Sequence, residues 1–146
     1  MEFTIDNSGL KNLESFCDKL SKTSIKIGVL NNPKQAKKAY ENEYGVISRH
    51  IPPRSNVQFP IEENIGYILK DVNFKDFTDE EIRANADSIG DNGLECIQKA
   101  FDTKGYGSWA DNSPITIAIK GRNEPLVDTG ELRKSYSYEV INEKAS

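Results

Sequence analysis

Apolar residues recur along the chain with a spacing that changes at intervals, and each change marks an element. Phe3-Thr4-Ile5 alternates as a short strand, and Asp6, Asn7 and Ser8 then offer helix-capping oxygens. Leu10, Leu13, Phe16, Cys17 and Leu20 follow at three- and four-residue steps, which predicts a helix over 8–21 with one apolar face. Ile25, Ile27 and Val29 alternate within 24–30 as a strand with one buried face, which Asn31-Asn32-Pro33 ends. A short helix over 36–44 closes at Gly45, where a left-handed residue is usual. Residues 46–60 read as irregular, with Ile51-Pro52-Pro53-Arg54 held extended by its prolines.

Helical spacing resumes over 61–72 through Ile61, Ile65, Ile68, Leu69 and Val72. Thr78 and Glu81 then form a capping box, the threonine bonding the third helical amide while the glutamate reaches back. The stripe Ile82, Ala86, Ile89, Gly93, Ile97, Ala100, Phe101 marks the longest helix, about 79–103, acidic at its start and basic at its end as the dipole favours. Ile115–Ile119 alternates as a strand would, but Ser113-Pro114 is an N-cap followed by a first-turn proline, and that decides for a short helix. Tyr136, Tyr138 and Val140 alternate in a last strand over 135–141. The expected class is α+β, a small antiparallel β-sheet packed against several α-helices with one long central helix.

A length of 146 residues fits one domain spanning 1–146. Hydrophobic residues make up 36%, below the usual share of about 45–50%, so the core is modest. The absence of a signal-type apolar stretch leads to the expectation of a soluble protein that matures in a cytoplasm. Cys17 and Cys96 stand 79 positions apart without neighbouring His or Cys, which excludes a disulfide scaffold and a zinc site by count. Both cysteines fall in apolar helical stripes and read as inert core thiols. The net charge of −4 argues against nucleic-acid binding, which needs a basic face. The charge is uneven: residues 1–60 carry nine basic and six acidic side chains, whereas residues 61–103 carry four and eleven.

Leu126-Val127-Asp128-Thr129-Gly130 matches the motif that aspartic peptidases place at their carboxylate dyad, which a chain this short would need to build as a homodimer. Only 16 residues follow Gly130, too few for the strands such a lobe requires. The simpler reading makes Asp128 the cap of a one-turn helix, with Glu131 completing a capping box and Gly130 allowing a tight turn. His50, the only histidine, has no nucleophile beside it in sequence, and Glu62-Glu63 and Glu80-Glu81 point to different helix faces. No catalytic constellation and no cofactor site is expected. Gly105-Tyr106-Gly107-Ser108-Trp109 holds the only tryptophan in a glycine-flexible segment, where it is either a lid on the core or an interface anchor.

Lys104-Gly105 with Trp109 after three residues, Ser113-Pro114-Ile115-Thr116-Ile117 with Lys120, and Pro125-Leu126-Val127-Asp128-Thr129-Gly130-Glu131-Leu132-Arg133-Lys134-Ser135 together resemble the C-terminal signature of the tailed-phage virion-morphogenesis, or tail-completion, family. Upstream, Ala39-Tyr40-Glu41-Asn42-Glu43-Tyr44-Gly45 and Ile51-Pro52-Pro53-Arg54 resemble its other landmarks, a helix ending in aromatic-Gly and an Ile-Pro-x-Arg turn. The resemblance extends over roughly residues 25–141. It implies a non-enzymatic virion component of the neck or tail, assembled as a ring with itself and with tail-tube, tail-terminator or head–tail connector proteins. A tail terminator or connector adaptor is the nearest alternative, and the homodimeric peptidase is the alternative of another class. On this reading Ile51–Phe59 and Gly105–Ser113 are mobile in the free protein, Trp109 and Tyr106 are aromatic anchors to a neighbour, and Arg54 contacts a carboxylate there.

Overall fold

The computed structural model describes residues 7–123, 125 and 130–143. The strand expected at Phe3–Ile5 and the cap expected at Asp128 lie outside these residues. The order is α1 (Ser8–Ser21), β1 (Thr23–Gly28), α2 (Pro33–Tyr44), a 3₁₀ turn (Ile47–Arg49), α3 (Gln58–Glu63), α4 (Ile65–Ile68), α5 (Asp79–Asp102), α6 (Pro114–Lys120), α7 (Glu131–Lys134) and β2 (Ser137–Asn142). The fold is α+β, with a two-stranded antiparallel sheet and the long helix α5 packed against it.

The strands pair with Ile25 opposite Val140 and Ile27 opposite Tyr138. Both pairs therefore share one face of the sheet. Two glycines let α5 approach that face closely. A Cβ at Gly90 would lie 2.3 Å from the Tyr138 ring, and one at Gly93 would lie 2.7 Å from Ile27. The stripe of α5 that was legible as apolar is buried at Ile82, Ala86, Cys96, Ile97, Ala100 and Phe101. Its end toward Phe101 gathers Ala39, Trp109, Leu132 and Tyr136 into one core.

Local chemistry explains the helix ends. Asn32 accepts from the Gln35 amide at 3.2 Å and Pro33 opens α2. Ser113 and Pro114 start α6 as expected, and left-handed Gly121 ends it. The capping box at Thr78 is present in both directions. Glu81 also accepts from the amides of Lys75 (2.5 Å) and Asp76 (2.9 Å), so one carboxylate ties down the whole turn before α5. These bonds to the ionised form hold its pKa below the ordinary glutamate value.

Three expectations change. Residues 61–72 are not one helix: the chain forms α3 and α4, broken at Asn64. Asn64 Nδ2 donates to the Pro60 carbonyl at 2.8 Å, so its side chain engages the carbonyl four residues back, as Asn does in competition with regular helix. At the start of α1, Asn7 makes no side-chain cap bond. The apolar face of α1 is mostly uncovered. Only Phe16 is buried, edge-on to Phe74 and Phe77 at 5.3 and 5.2 Å, while Leu10, Leu13, Leu20 and Cys17 are exposed. Cys17 is thus no core thiol, because a helical stripe records which residues share a face and not what packs on it. Cys96 is buried, and burial pushes its thiol pKa up.

Candidate functional site

Four stretches far apart in sequence, around Tyr44-Gly45, Ile51–Arg54, Lys104–Trp109 and Glu131–Leu132, meet in one junction. The turn after α2 depends on Gly45 at φ 75°, where a Cβ would sit 2.8 Å from the Ile51 carbonyl and 2.9 Å from the Pro53 nitrogen. The Arg54 amide donates to Asn42 O at 2.6 Å, which fastens the Ile51–Arg54 segment along the end of α2. From there the Arg54 side chain crosses to the segment after Trp109. Its Nε donates to Ala110 O at 2.8 Å and its Nη2 to Asp111 O at 2.9 Å.

Trp109 returns the contact: its Nε1 donates to Ser55 O at 2.8 Å, and its ring stands edge-on to Phe101 at 5.3 Å. Gly105, at φ 65°, passes so close to this indole that a Cβ would lie 2.2 Å from it. Tyr106 donates from its hydroxyl to Cys96 O at 2.8 Å, which pins the glycine-rich loop onto α5. The C-terminal stretch enters through Leu132, buried in the same core, and through Glu131, which accepts from Gln35 Nε2 at 3.0 Å. Arg133 and Gln98 exchange bonds, Nε to Oε1 and Nε2 to the Arg133 carbonyl, each at 2.8 Å.

At the centre sits Asn56, fully buried. Its Nδ2 donates to Ala39 O at 3.0 Å, and its Oδ1 accepts from the Tyr136 hydroxyl at 2.7 Å. Glu43 accepts from the amides of Asn56 (2.6 Å), Val57 (2.9 Å) and Gln58 (3.1 Å) and from the Ser55 hydroxyl (2.6 Å). A side chain of α2 thereby satisfies the free amides at the start of α3. Neither residue carries a sequence signal for this role, because the partners of Glu43 stand 12 to 15 positions away and those of Asn56 include Tyr136.

Burial sets the electrostatics of the junction. It pulls the Arg54 guanidinium pKa down, opposed by the charge of Asp111. It pushes the Tyr106 hydroxyl up to about 12 and raises Tyr136 as well, with the Glu43 charge adding to the latter. Both phenols stay protonated donors at neutral pH. The chemistry available here is positional: the polar side chains named above bind backbone groups or one another.

This corrects the reading of Arg54 and Trp109 as surface contacts, whereas Tyr106 is half-buried with its hydroxyl bonded to Cys96 O. Trp109 is 5% exposed and Arg54 is 8% exposed, and Arg54 meets backbone carbonyls of its own chain instead of a neighbour's carboxylate. Trp109 is a lid on the core. Of the structural positions, Gly45, Thr78 and Glu81 act as expected; Gly130 adopts φ 82° as the cap residue of α7, so Glu131 is the first residue of that helix and completes no capping box, a correction to the expected role. Asp128 lies outside the described residues. His50 is exposed and left-handed at the end of the 3₁₀ turn. Among the described residues no group of three or more His, Cys, Asp or Glu is placed to hold a metal ion. Among them, no helix is long and apolar enough to cross a membrane.

No protein-family model matches this chain, and no curated protein or solved structure is significantly similar to it.

Several large apolar side chains outside the junction are exposed. Ile115 and Ile119 on α6 are 74% and 81% exposed. Ile47 is 94% exposed at the tip of the 3₁₀ turn, near the end of α2 that carries exposed Tyr40 and Tyr44 with rings 4.9 Å apart. The open stripe of α1 is a third such area.

Proposed function

We propose that this chain is a structural assembly protein of a tailed-bacteriophage virion, a subunit of an oligomeric ring that acts in tail completion or head–tail joining. What supports the reading is the resemblance of the ordered stretches between roughly residues 25 and 141 to the tail-completion family's signature. Four of them, Tyr44-Gly45, Ile51–Arg54, Lys104–Trp109 and Glu131–Leu132, pack into one junction through Arg54, Trp109, Gln35 and Leu132. The junction's role is to hold two long loops and the C-terminal segment rigid. A rigid body with three exposed apolar areas suits a subunit whose partners are further copies of itself and the tail-tube, terminator or connector proteins of the particle.

The test is genetic and structural. Deleting the gene from a phage that carries it is expected to leave heads and tails that fail to join, or tails with unfinished ends, seen by electron microscopy and restored by the gene in trans. Normal infectious particles from the deletion would refute the reading. Antibody labelling of intact particles is expected to mark the neck or tail, and label absent from purified virions would count against it.

A further inference from the structure

We propose that α1 is a hinged arm, latched to the body by Phe16, which swings out about Lys22 as a unit while the rest of the fold stays closed. The contact that holds it is small. Phe16 is 6% exposed, and every other residue of α1 is exposed. Its ring stands edge-on to Phe74 and Phe77, and Lys19 Nζ meets Asp79 Oδ1 at 3.0 Å. Both members of that ion pair are open to solvent, where such pairs hold little. Clefts of about 420 and 560 Å³ open between α1 and residues 76–83, and Ser15, Lys19 and Asp79 line both. α1 therefore stands off from the body along most of its length.

The socket belongs to the body and stays built when the arm leaves. Asn73 N donates to Asn85 Oδ1 at 2.7 Å and Asn85 Nδ2 to Asn73 O at 2.8 Å, which ties the start of the turn to α5. Asp76 N and Thr78 N donate to Glu81 Oε1 at 2.9 and 3.1 Å, on either side of Phe77 at φ 55°. A bulky residue keeps that left-handed backbone only where its surroundings fix it.

The hinge is one residue long. α1 ends at Ser21 and β1 begins at Thr23, and from Lys22 onward the chain is fixed to β2, Glu143 N donating to Lys22 O at 2.9 Å. Undocking breaks the Phe16 contacts, the Lys19–Asp79 pair and the bond that Thr23 Oγ1 gives Lys19 O across the hinge. It leaves the sheet and α5 whole. Opening also changes the surface: Phe16 joins Leu10, Leu13 and Leu20, which are already exposed, and Phe74 and Phe77 lose their cover. A helix of 14 residues without a partner is marginal in water, so the amides of the open arm exchange.

Native-state hydrogen exchange of the full chain at a series of low urea concentrations tests the arm. The α1 amides from Asn12 to Ser21 are expected to exchange together, at least about a hundredfold faster than those of Ile97–Phe101, which wait for global unfolding. Their rate should rise with urea at less than about half the slope of the α5 amides, because opening exposes far less surface than unfolding. Ile97→Val weakens the body and not the latch, so it should speed the α5 amides severalfold and leave the α1 amides within about twofold of the parent. Phe16→Ala should bring the α1 amides within about tenfold of free-peptide rates.

Equal rates and slopes in α1 and α5 would make α1 part of one cooperative body. Graded rates without urea dependence would mean fraying from the free end, and α1 rates indifferent to Phe16→Ala would place the latch elsewhere. Each of these results overturns the hinged arm. None of them bears on the virion role, which the gene deletion decides.

Discussion

Replacing Arg54 by Met tests whether one guanidinium holds the two long loops together. Methionine keeps an unbranched apolar stem in the buried channel and removes both donors, so packing changes little and hydrogen bonding changes most. Arg54 makes two charge-assisted bonds, to Ala110 O and Asp111 O. Such bonds are worth about 1.5–3 kcal/mol each when the acceptor is left unsatisfied. Ala110 and Asp111 are themselves exposed, so water can take over much of what their carbonyls lose. That discount brings the expected loss to about 2–3 kcal/mol. For a chain of this length the loss corresponds to a fall in Tm of about 5–10 °C. Urea unfolding followed by the fluorescence of Trp109, the only tryptophan, reports at the junction itself. The slope with denaturant should be unchanged and the midpoint lowered. Arg54→Lys keeps the charge but not the fork, can serve one carbonyl at a time, and should fall between. A loss under about 0.5 kcal/mol for Arg54→Met, the size of an ordinary surface change, would refute the argument that this side chain fastens the loops.

Hydrogen exchange should find the amides of Asn56, Val57, Phe59 and Trp109 protected in the free protein, because each has a defined acceptor in Glu43, Ser55 or Lys104; exchange at random-coil rates would restore the picture of loops that order only against neighbours. A thiol reagent should label Cys17 quickly in the native protein and Cys96 only on unfolding, and a native chain with no fast thiol would show α1 covered. The lowered pKa of Glu81 stabilises the fold fully above the ordinary glutamate value of about 4.3, and the contribution is lost as pH falls through the lower folded value. Glu81→Gln should therefore be less stable than the parent at pH 7, with a gap that narrows in acid; a gap that widens below pH 4 would mean that the carboxylate does not hold the 75–78 turn.

The elements legible in the sequence were those specified by neighbours within a turn or two of chain. Thr78 and Glu81, Ser113 with Pro114 and the alternation of Ile25 and Ile27 place α5, α6 and β1 nearly where they stand, because caps, first-turn prolines and side-chain periodicity act over three or four residues; α2 begins three residues before the expected 36, since Asn32 and Pro33, read as the end of the strand, also open the helix. The need for glycine at Gly45 was legible as well. The break at Asn64 was hidden because helical spacing runs through it while its amide engages Pro60 O instead of leaving the helix regular. Trp109 lay in a glycine-rich stretch with the composition of an exposed loop, and its burial depends on Ser55, 54 positions away. Glu43 and Asn56 looked like ordinary polar residues, and their roles exist only once α2, α3 and the segment before β2 are side by side. The stripe of α1 shows the same limit from the other side. Periodicity put Leu10, Leu13, Phe16, Cys17 and Leu20 on one face, but cover is supplied by distant chain, and here Phe74 and Phe77 reach only Phe16. Local backbone preferences are therefore written in adjacent residues, whereas burial, and with it the surface left for partners, is a property of contacts between segments that the linear pattern does not order.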